Sequence, residues 1–223
     1  MKQLTQLANK YSSDKGTMYG SKHGFSEIYD TYFINFKNQE INILEIGVND
    51  GSSLKMWYEY FPNAFIYGLD IDDKLCYNND RISCGILDQS KDEHLEYFTK
   101  HINTKFDIII DDGSHHLRDQ QLTFYHFLTL LNSNGLYIIE DLHTSLCDKD
   151  TNIYGRNIDI WDDINNTTLF YLQNKPYNSV YLNDEQNQYI QNNIKEVTIF
   201  EKDNVNVPDN HKNKSITSII IKK

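Results

Sequence analysis

The sequence has no long apolar run and little cysteine, and both shortages narrow the classes of protein to consider. No stretch of about 18 consecutive apolar residues occurs, and the N-terminal segment lacks the apolar centre of a signal peptide. The cysteines Cys76, Cys84 and Cys147 are odd in number and lack metal-ligand spacing, which favours reduced thiols. We therefore expect a cytoplasmic protein that does not cross a membrane.

Positive charge is also scarce. Lys and Arg together number 21 against 32 Asp and Glu, which gives a formal net charge of −11. A field of that sign repels polyanions, so we expect no nucleic-acid partner and no anionic membrane surface. A small-molecule partner is predicted instead, and the sequence leaves open whether the chain forms a homo-oligomer.

What the chain does contain suits a globular protein: 39% of its 223 residues are hydrophobic. We predict a single domain, 1–223, because this length is too short for two ordinary domains. Within it, residues 1–40 form an N-terminal arm, and a polar, Asn-rich segment, 143–195, forms a cap on the substrate side. Two helices are predicted in the cap, at 158–172 and 184–193.

Short apolar runs alternate with helical patterns from residue 41 onward. Strands are predicted at 41–47, 64–71, 81–87, 106–110 and 135–139, and helices at 52–61, 92–102 and 119–131. This alternation predicts an α/β fold with a Rossmann-like, doubly wound and mostly parallel sheet. Two final strands, 197–202 and 215–222, have no helix between them, so an antiparallel edge hairpin is expected. Such a hairpin is more typical of class I methyltransferases than of dehydrogenases.

The loop after the first strand carries glycine only at Gly47 and Gly51. A dinucleotide site prefers G-x-G-x-x-G, and here Asp50 places an anion where a phosphate would approach. S-adenosylmethionine has no phosphate and carries an ammonium and a sulfonium, so it fits this loop better. Asp70 ends the second strand, where a carboxylate accepts hydrogen bonds from ribose hydroxyls. The predicted donor-binding residues are Glu45, Gly47, Asn49, Gly51, Ser53, Asp70, Asp88, Gln89 and Asp111.

Two acidic pairs, 111–112 and 140–141, follow the fourth and fifth strands. The carboxyl ends of neighbouring parallel strands meet, so four carboxylates are expected to converge beside the donor site. No run of Lys or Arg lies near them in the sequence, although Arg118 could pair with one. A bound cation would relieve their repulsion, and oxygen ligands favour Mg²⁺, Ca²⁺ or Mn²⁺ over Zn²⁺. The alternative is that Asp111 and Asp112 cap the following turn, and that Glu140 and Asp141 are solvated loop residues.

Several stretches together resemble the metal-dependent sugar O-methyltransferases of macrolide biosynthesis, the mycinamicin and tylosin type, and the related cephalosporin-hydroxylase-type sequences. They are YSSDKG (11–16), HGF (23–25), LEIGVNDGSSLKMW (44–57), YFPNAFIYGLDI (60–71), IDDGSHH (110–116) and GLYIIEDLHTS (135–145). The segment 147–210 has no clear counterpart, and acceptor specificity is expected there. The macrolide substrates therefore do not transfer with the resemblance.

The resemblance implies a class I methyltransferase that uses S-adenosylmethionine and Mg²⁺. It makes Asp112, Glu140 and Asp141 the metal ligands and His115 the catalytic base. It also brings four residues of the arm toward the site: Asp14, Lys15, His23 and Tyr29. The predicted reaction is O-methylation of a sugar or another small polyol. N-methylation of a small amine, NAD-dependent oxidoreduction and a non-catalytic Rossmann-fold binding role stay open as alternatives.

Overall fold

The computed structural model describes residues 2–72, 78–147, 152–153, 156–157, 164–207 and 212–223. Its strands are β1 Asn42–Ile46, β2 Phe65–Asp70, β3 Ile82–Ile86, β4 Phe106–Asp111, β5 Leu131–Ile139, β6 Asn152–Ile153, β7 Arg156–Asn157, β8 Ile194–Asp203 and β9 Lys214–Lys222. The helices are α1 Gln3–Lys10, α2 Phe25–Phe33, α3 Ser52–Tyr60, α4 Asp92–His101, α5 Leu117–Leu128, α6 Thr168–Gln173 and α7 Asp184–Asn193. Two 3-10 helices cover Leu142–Leu146 and Ile164–Asn166.

Seven of these strands form one sheet in the order β3-β2-β1-β4-β5-β9-β8. The first five pair in parallel, and β9 runs antiparallel to both β5 and β8. The predicted fold class, including the C-terminal edge hairpin, is confirmed. In the part of the chain that is described, no helix is both long and apolar enough to cross a membrane.

Both faces of the sheet are covered, which explains why β4 is apolar without alternation. Ile108 and Ile110 pack on the layer that contains α1, α2 and α3, whereas Ile109 packs on the layer of α4 and α5. Phe33 of α2 lies edge-on to Trp57 of α3, with ring centroids 5.7 Å apart. The predicted arm therefore contributes two helices to the core, and this packing holds the loop between α1 and α2 near the carboxyl ends of the strands.

Several predicted boundaries differ from those observed. The helix predicted at 158–172 is wrong in extent: residues 158–163 lie outside the described residues, and α6 begins only at Thr168, where the Thr167 hydroxyl accepts a hydrogen bond from the Phe170 amide. By contrast, the helix predicted at 184–193 is confirmed, with Asn183 and Gln186 forming a capping box. Gly51, with φ of 72°, is the N-cap of α3.

Candidate active site

A cavity of about 860 Å³ lies at the carboxyl ends of the parallel strands. Its wall comes from the loops that follow β1, β2, β3 and β4, together with Asp141 after β5. Residues 12–15 and Gly20, from the loop between α1 and α2, close another part of it. Ligands of open α/β sheets bind outside these strand ends, so the cavity is the candidate active site.

The loop after β1 approaches the loop after β4 closely at Gly47. This glycine has φ of +86°, and a Cβ there would lie 2.0 Å from the carbonyl oxygen of Asp112. Asp70 Oδ2 accepts hydrogen bonds from the amides of Val48, at 2.8 Å, and Asn49, at 2.9 Å. The Asp70 carboxylate thus holds the loop after β1, residues 47–51, which is called the donor loop below because S-adenosylmethionine is expected there. Asp70 also lines the cavity.

The start of α3 is not open to a phosphate. Asp50 Oδ1 accepts a hydrogen bond of 3.0 Å from the Ser52 amide, so a carboxylate already occupies one of the first helical donors. A pyrophosphate would need these amides and would be repelled by the same carboxylate. The loop sequence argued against a dinucleotide site, and the geometry supports that argument.

Gln89 holds three parts of the site together. Its Nε2 donates to Asp111 Oδ1, at 3.2 Å, and to Thr123 Oγ1, at 3.1 Å, while its Oε1 accepts from the Ser114 amide at 2.6 Å. A Cβ at Gly113 would lie 1.7 Å from Gln89 Oε1, so this contact requires glycine. Asp111 is buried behind this contact, and burial raises its pKa to about 7.

Not every predicted site residue reaches the cavity wall. Those that line it are Gly47, Asn49, Ser53, Asp70, Asp88, Gln89, Asp112, His115 and Asp141. Among the described residues, Glu45, Gly51, Asp111 and Glu140 do not line it. Glu45 instead lies beneath the donor loop and accepts hydrogen bonds from Ser53 Oγ, at 2.7 Å, and Trp57 Nε1, at 3.2 Å. Burial raises the pKa of Glu45 to about 7. The roles assigned to all these residues stay predictions.

Three of the predicted residues converge on one point of the cavity. Asp112, His115 and Asp141 each offer a ligand atom, and these atoms lie within 4.8 Å of one another. His115 Nε2 is 3.6 Å from Asp141 Oδ2 and 4.0 Å from Asp112 Oδ1. His115 and Asp141 have φ of 57° and 54°, a left-handed conformation that costs energy and concentrates at functional sites. Asp141 Oδ1 is buried and accepts no hydrogen bond, so this group fits a divalent cation.

Asp141 lies among imidazole rings. Its Oδ1 is 3.6 Å from His23 Nε2 and 3.7 Å from His143 Nδ1, and His115 faces Oδ2. Burial alone would raise the pKa of Asp141. Attraction to His23, His115 and His143 outweighs burial and lowers this pKa to about 2. Asp141 is therefore ionised at neutral pH and ready to hold a cation. Sequence reasoning did not single out His143, which reaches Asp141 from the 3-10 helix that follows β5.

Lys15, one of the arm residues expected near the site, supplies positive charge that no run of Lys or Arg near the acidic pairs provides. Its buried Nζ contacts Asp112 Oδ2, is 3.1 Å from Glu140 Oε2 and is 3.7 Å from Glu45 Oε1. Burial lowers the pKa of Lys15, but attraction to these three carboxylates raises it well above its ordinary value. Arg118, the expected partner, instead lies 3.7 Å from Asp119.

Glu140 differs from the other two predicted ligands because its carboxylate faces the protein interior. Its Oε1 accepts a hydrogen bond of 2.9 Å from the Tyr29 hydroxyl, and its Oε2 faces Lys15. Burial raises the pKa of Glu140 well above its ordinary value. It lies outside the three-residue group of Asp112, His115 and Asp141, and its role as a ligand stays a prediction.

Comparison with known proteins gives a consistent answer, although no protein-family model matches the chain. The chain is 36% identical over 149 residues to demethylmacrocin O-methyltransferase of Streptomyces fradiae, and 37% identical over 149 residues to mycinamicin VI 2''-O-methyltransferase of Micromonospora griseorubida. Each alignment covers 64% of this chain, but only 37% and 36% of those relatives, respectively. The chain thus spans little more than a third of the curated relatives it matches.

A solved structure of MycE methyltransferase from the mycinamycin biosynthetic pathway, in complex with Mg, SAH and mycinamycin VI, matches with a TM-score of 0.69 and 28% sequence identity. The match covers 98% of this chain and 54% of that one. The sheet order and these matches show that the chain has the fold of the class I S-adenosylmethionine-dependent methyltransferases. Within that class it is related to the macrolide sugar O-methyltransferases, as the sequence motifs predicted.

Proposed function

We propose that the chain transfers the methyl group of S-adenosylmethionine to a hydroxyl of a sugar or another small polyol, with a divalent cation such as Mg²⁺ in the site. One observation carries the proposal: a single cavity joins the donor loop at Gly47 and Asp70 to the group of Asp112, His115 and Asp141. The relatives named above are O-methyltransferases by their names, which supports a hydroxyl as the acceptor.

The donor would lie along the loops after β1, β2 and β3. Asp70 has two oxygens with several lone pairs, so it can accept from ribose hydroxyls while it holds the Val48 and Asn49 amides. Asp88 and Gln89 line the same cavity after β3, where the adenine is expected. Asp50 and Asp70 add negative charge that favours a cationic donor over a phosphate-bearing one.

Asp112 and Asp141 would hold the cation, and Glu140 borders them on the Lys15 side. When bound, a divalent cation supplies Lewis acidity that favours ionisation of an acceptor hydroxyl. Asp112 and Asp141 come from adjacent strand ends and offer oxygens toward the same point, which suits a hard cation with room for further oxygen ligands. An acceptor with two neighbouring hydroxyls matches such a site.

His115 would take the proton from the acceptor hydroxyl. Its Nε2 lies within 4.0 Å of carboxylate oxygens of both Asp112 and Asp141, so the imidazolium formed by proton transfer would be stabilised electrostatically. The same geometry allows His115 to be a metal ligand. The metal affinity of His115→Ala separates the two roles. Loss of a base alone would change that affinity by no more than a few-fold, whereas loss of a ligand would lower it further.

A methylation assay with labelled S-adenosylmethionine tests the proposal. The acceptor panel contains sugars, their monodeoxy analogues and small amines, each measured in EDTA and after Mg²⁺ is added back. We expect transfer to diol-bearing sugars only, abolished by EDTA and restored by Mg²⁺. Full activity in EDTA would remove the cation from the mechanism, and transfer to amines alone would replace O- with N-methylation. Tight NADH binding without S-adenosylmethionine binding would favour an oxidoreductase.

A further inference from the structure

Lys15 is the most deeply buried lysine among the described residues, and the proposed reaction does not use it. Only 1% of its surface is exposed, yet its ammonium lies among carboxylates of three different elements: Glu45 on β1, Asp112 after β4 and Glu140 after β5. An ammonium has three donors, which matches this number of acceptors. In the part of the chain that is described, no other lysine or arginine is paired with these carboxylates.

The backbone of Lys15 and of its two neighbours is held in place by hydrogen bonds. The Lys15 carbonyl accepts a hydrogen bond of 3.0 Å from the Ser26 amide, at the start of α2. On either side of it, the His23 amide donates to the Asp14 carbonyl at 2.9 Å, and the Gly24 amide donates to the Gly16 carbonyl at 2.8 Å. Lys15 therefore lies in a loop whose backbone is held by hydrogen bonds to the start of α2 and to the residues before it.

Without this ammonium, the carboxylates of Glu45, Asp112 and Glu140 would lie close to one another and to Asp141. Among the described residues, no lysine or arginine would then pair with them. Like charges at such short range repel, and a buried charge whose partner is removed is strongly destabilising. The two oxygens of Asp112 have different neighbours: Oδ2 faces Lys15, and Oδ1 faces His115 at the candidate cation site. Lys15 and His115 thus face different oxygens of Asp112.

We propose that Lys15 is a positioning residue that acts as a fixed counter-cation, assembling Asp112 and Glu140 at the strand ends before any metal binds. The inference deepens the proposed function, since it concerns the same metal site. Its consequence is that the site is preformed in the metal-free protein. Removal of the Lys15 charge makes the fold depend on metal, because a divalent cation on Asp112 and Asp141 then supplies the missing positive charge.

Thermal unfolding of the full chain in EDTA and in saturating Mn²⁺ tests this, with no donor or acceptor present. Lys15→Met removes the charge and keeps most of the side-chain length. Lys10→Met is the matched control, because Lys10 of α1 pairs with Glu59 of α3 in an exposed ion pair. The double variant Lys15→Met/Glu45→Gln restores the net charge of the cluster without restoring the ammonium.

In EDTA we expect Lys15→Met to lower the melting temperature by on the order of 10 °C, and Lys10→Met by no more than about 2 °C. Mn²⁺ should raise the melting temperature of Lys15→Met more than that of the wild type. The double variant should recover at least about half of the loss, because the Glu45→Gln substitution removes one of the uncompensated charges.

Two results would overturn the inference. One is a Lys15→Met protein that melts with the Lys10→Met control in EDTA. The other is a loss of stability that neither Mn²⁺ nor the double variant reduces, which would assign Lys15 to packing alone. If Lys15→Met does not fold, the double variant decides, since a charge role requires it to fold. This test does not depend on methyl transfer. If the protein proves inactive in the methylation assay, the proposed function fails, but the result of the unfolding experiment still stands.

Discussion

Replacement of Gly47 by alanine should break the junction between the loop after β1 and the loop after β4, which carries Asp112 and His115. A Cβ at this position would lie 2.0 Å from the carbonyl oxygen of Asp112 and 2.6 Å from its carbonyl carbon. Both atoms belong to the backbone, so no side-chain rotation can relieve the overlap. The φ of +86° adds a second cost, because an L-residue with a Cβ rarely adopts it.

The two costs can be combined. The left-handed conformation costs alanine roughly 1–2 kcal/mol, and overpacking costs typically about 1–3 kcal/mol more. A loss of about 2–5 kcal/mol corresponds to a fall in melting temperature of roughly 4–20 °C for a chain of this size. Any relaxation must displace either the donor loop or Asp112, so affinity for S-adenosylhomocysteine should fall at least about tenfold, or ~1.4 kcal/mol.

Calorimetric binding of S-adenosylhomocysteine and thermal unfolding together provide the assay. Gly85→Ala is the matched control, because its Cβ would meet only Leu69 Cδ2, at 3.4 Å, and Gly85 does not have a positive φ. We expect the control to keep both the stability and the affinity of the wild type. A Gly47→Ala protein that did the same would refute the argument that the two loops touch at this glycine.

Three further outcomes follow from the site. Asp70→Ala should weaken S-adenosylmethionine binding by about 1.5–3 kcal/mol in calorimetry, through lost charge-assisted hydrogen bonds, and unchanged affinity would contradict this role. His115→Ala should lower turnover by roughly 10²–10⁴-fold with donor affinity nearly intact, whereas His116→Ala should do less; the reverse order would show that the wrong histidine was chosen. Asp112→Ala should reduce Mn²⁺ affinity and acceptor turnover more than donor binding in parallel titrations, and equal losses in all three would argue for a general structural effect.

The strand ends show how far the sequence pattern reaches. Asp111 and Asp112 are adjacent, but consecutive side chains of an extended segment point in opposite directions. Asp111 is accordingly buried against Gln89, whereas Asp112 lines the cavity. The sequence located the acidic pair at the correct edge of the sheet, and the direction of each side chain followed only from the way the strand packs.

Glu45 is a second residue whose side-chain direction the sequence pattern does not give. It belongs to the donor-loop motif, yet it lies on β1 with its carboxylate turned under the loop toward Ser53 and Trp57 of α3. The motif located the loop after β1, because glycine spacing is a local property of the chain. The contact with α3 depends on how that helix lies on the sheet.

The sequence by itself determined the alternation of strands and helices over residues 41–139, the edge hairpin and the loops at the candidate site. Each depends on hydrophobic periodicity or on residues close together in the chain, which physical rules connect directly to local structure. Only the tertiary structure decided how the carboxylates are compensated. Lys15 and Asp112 are 97 positions apart, and they meet because α1 and α2 pack on α3 and carry the ammonium to the ends of β4 and β5.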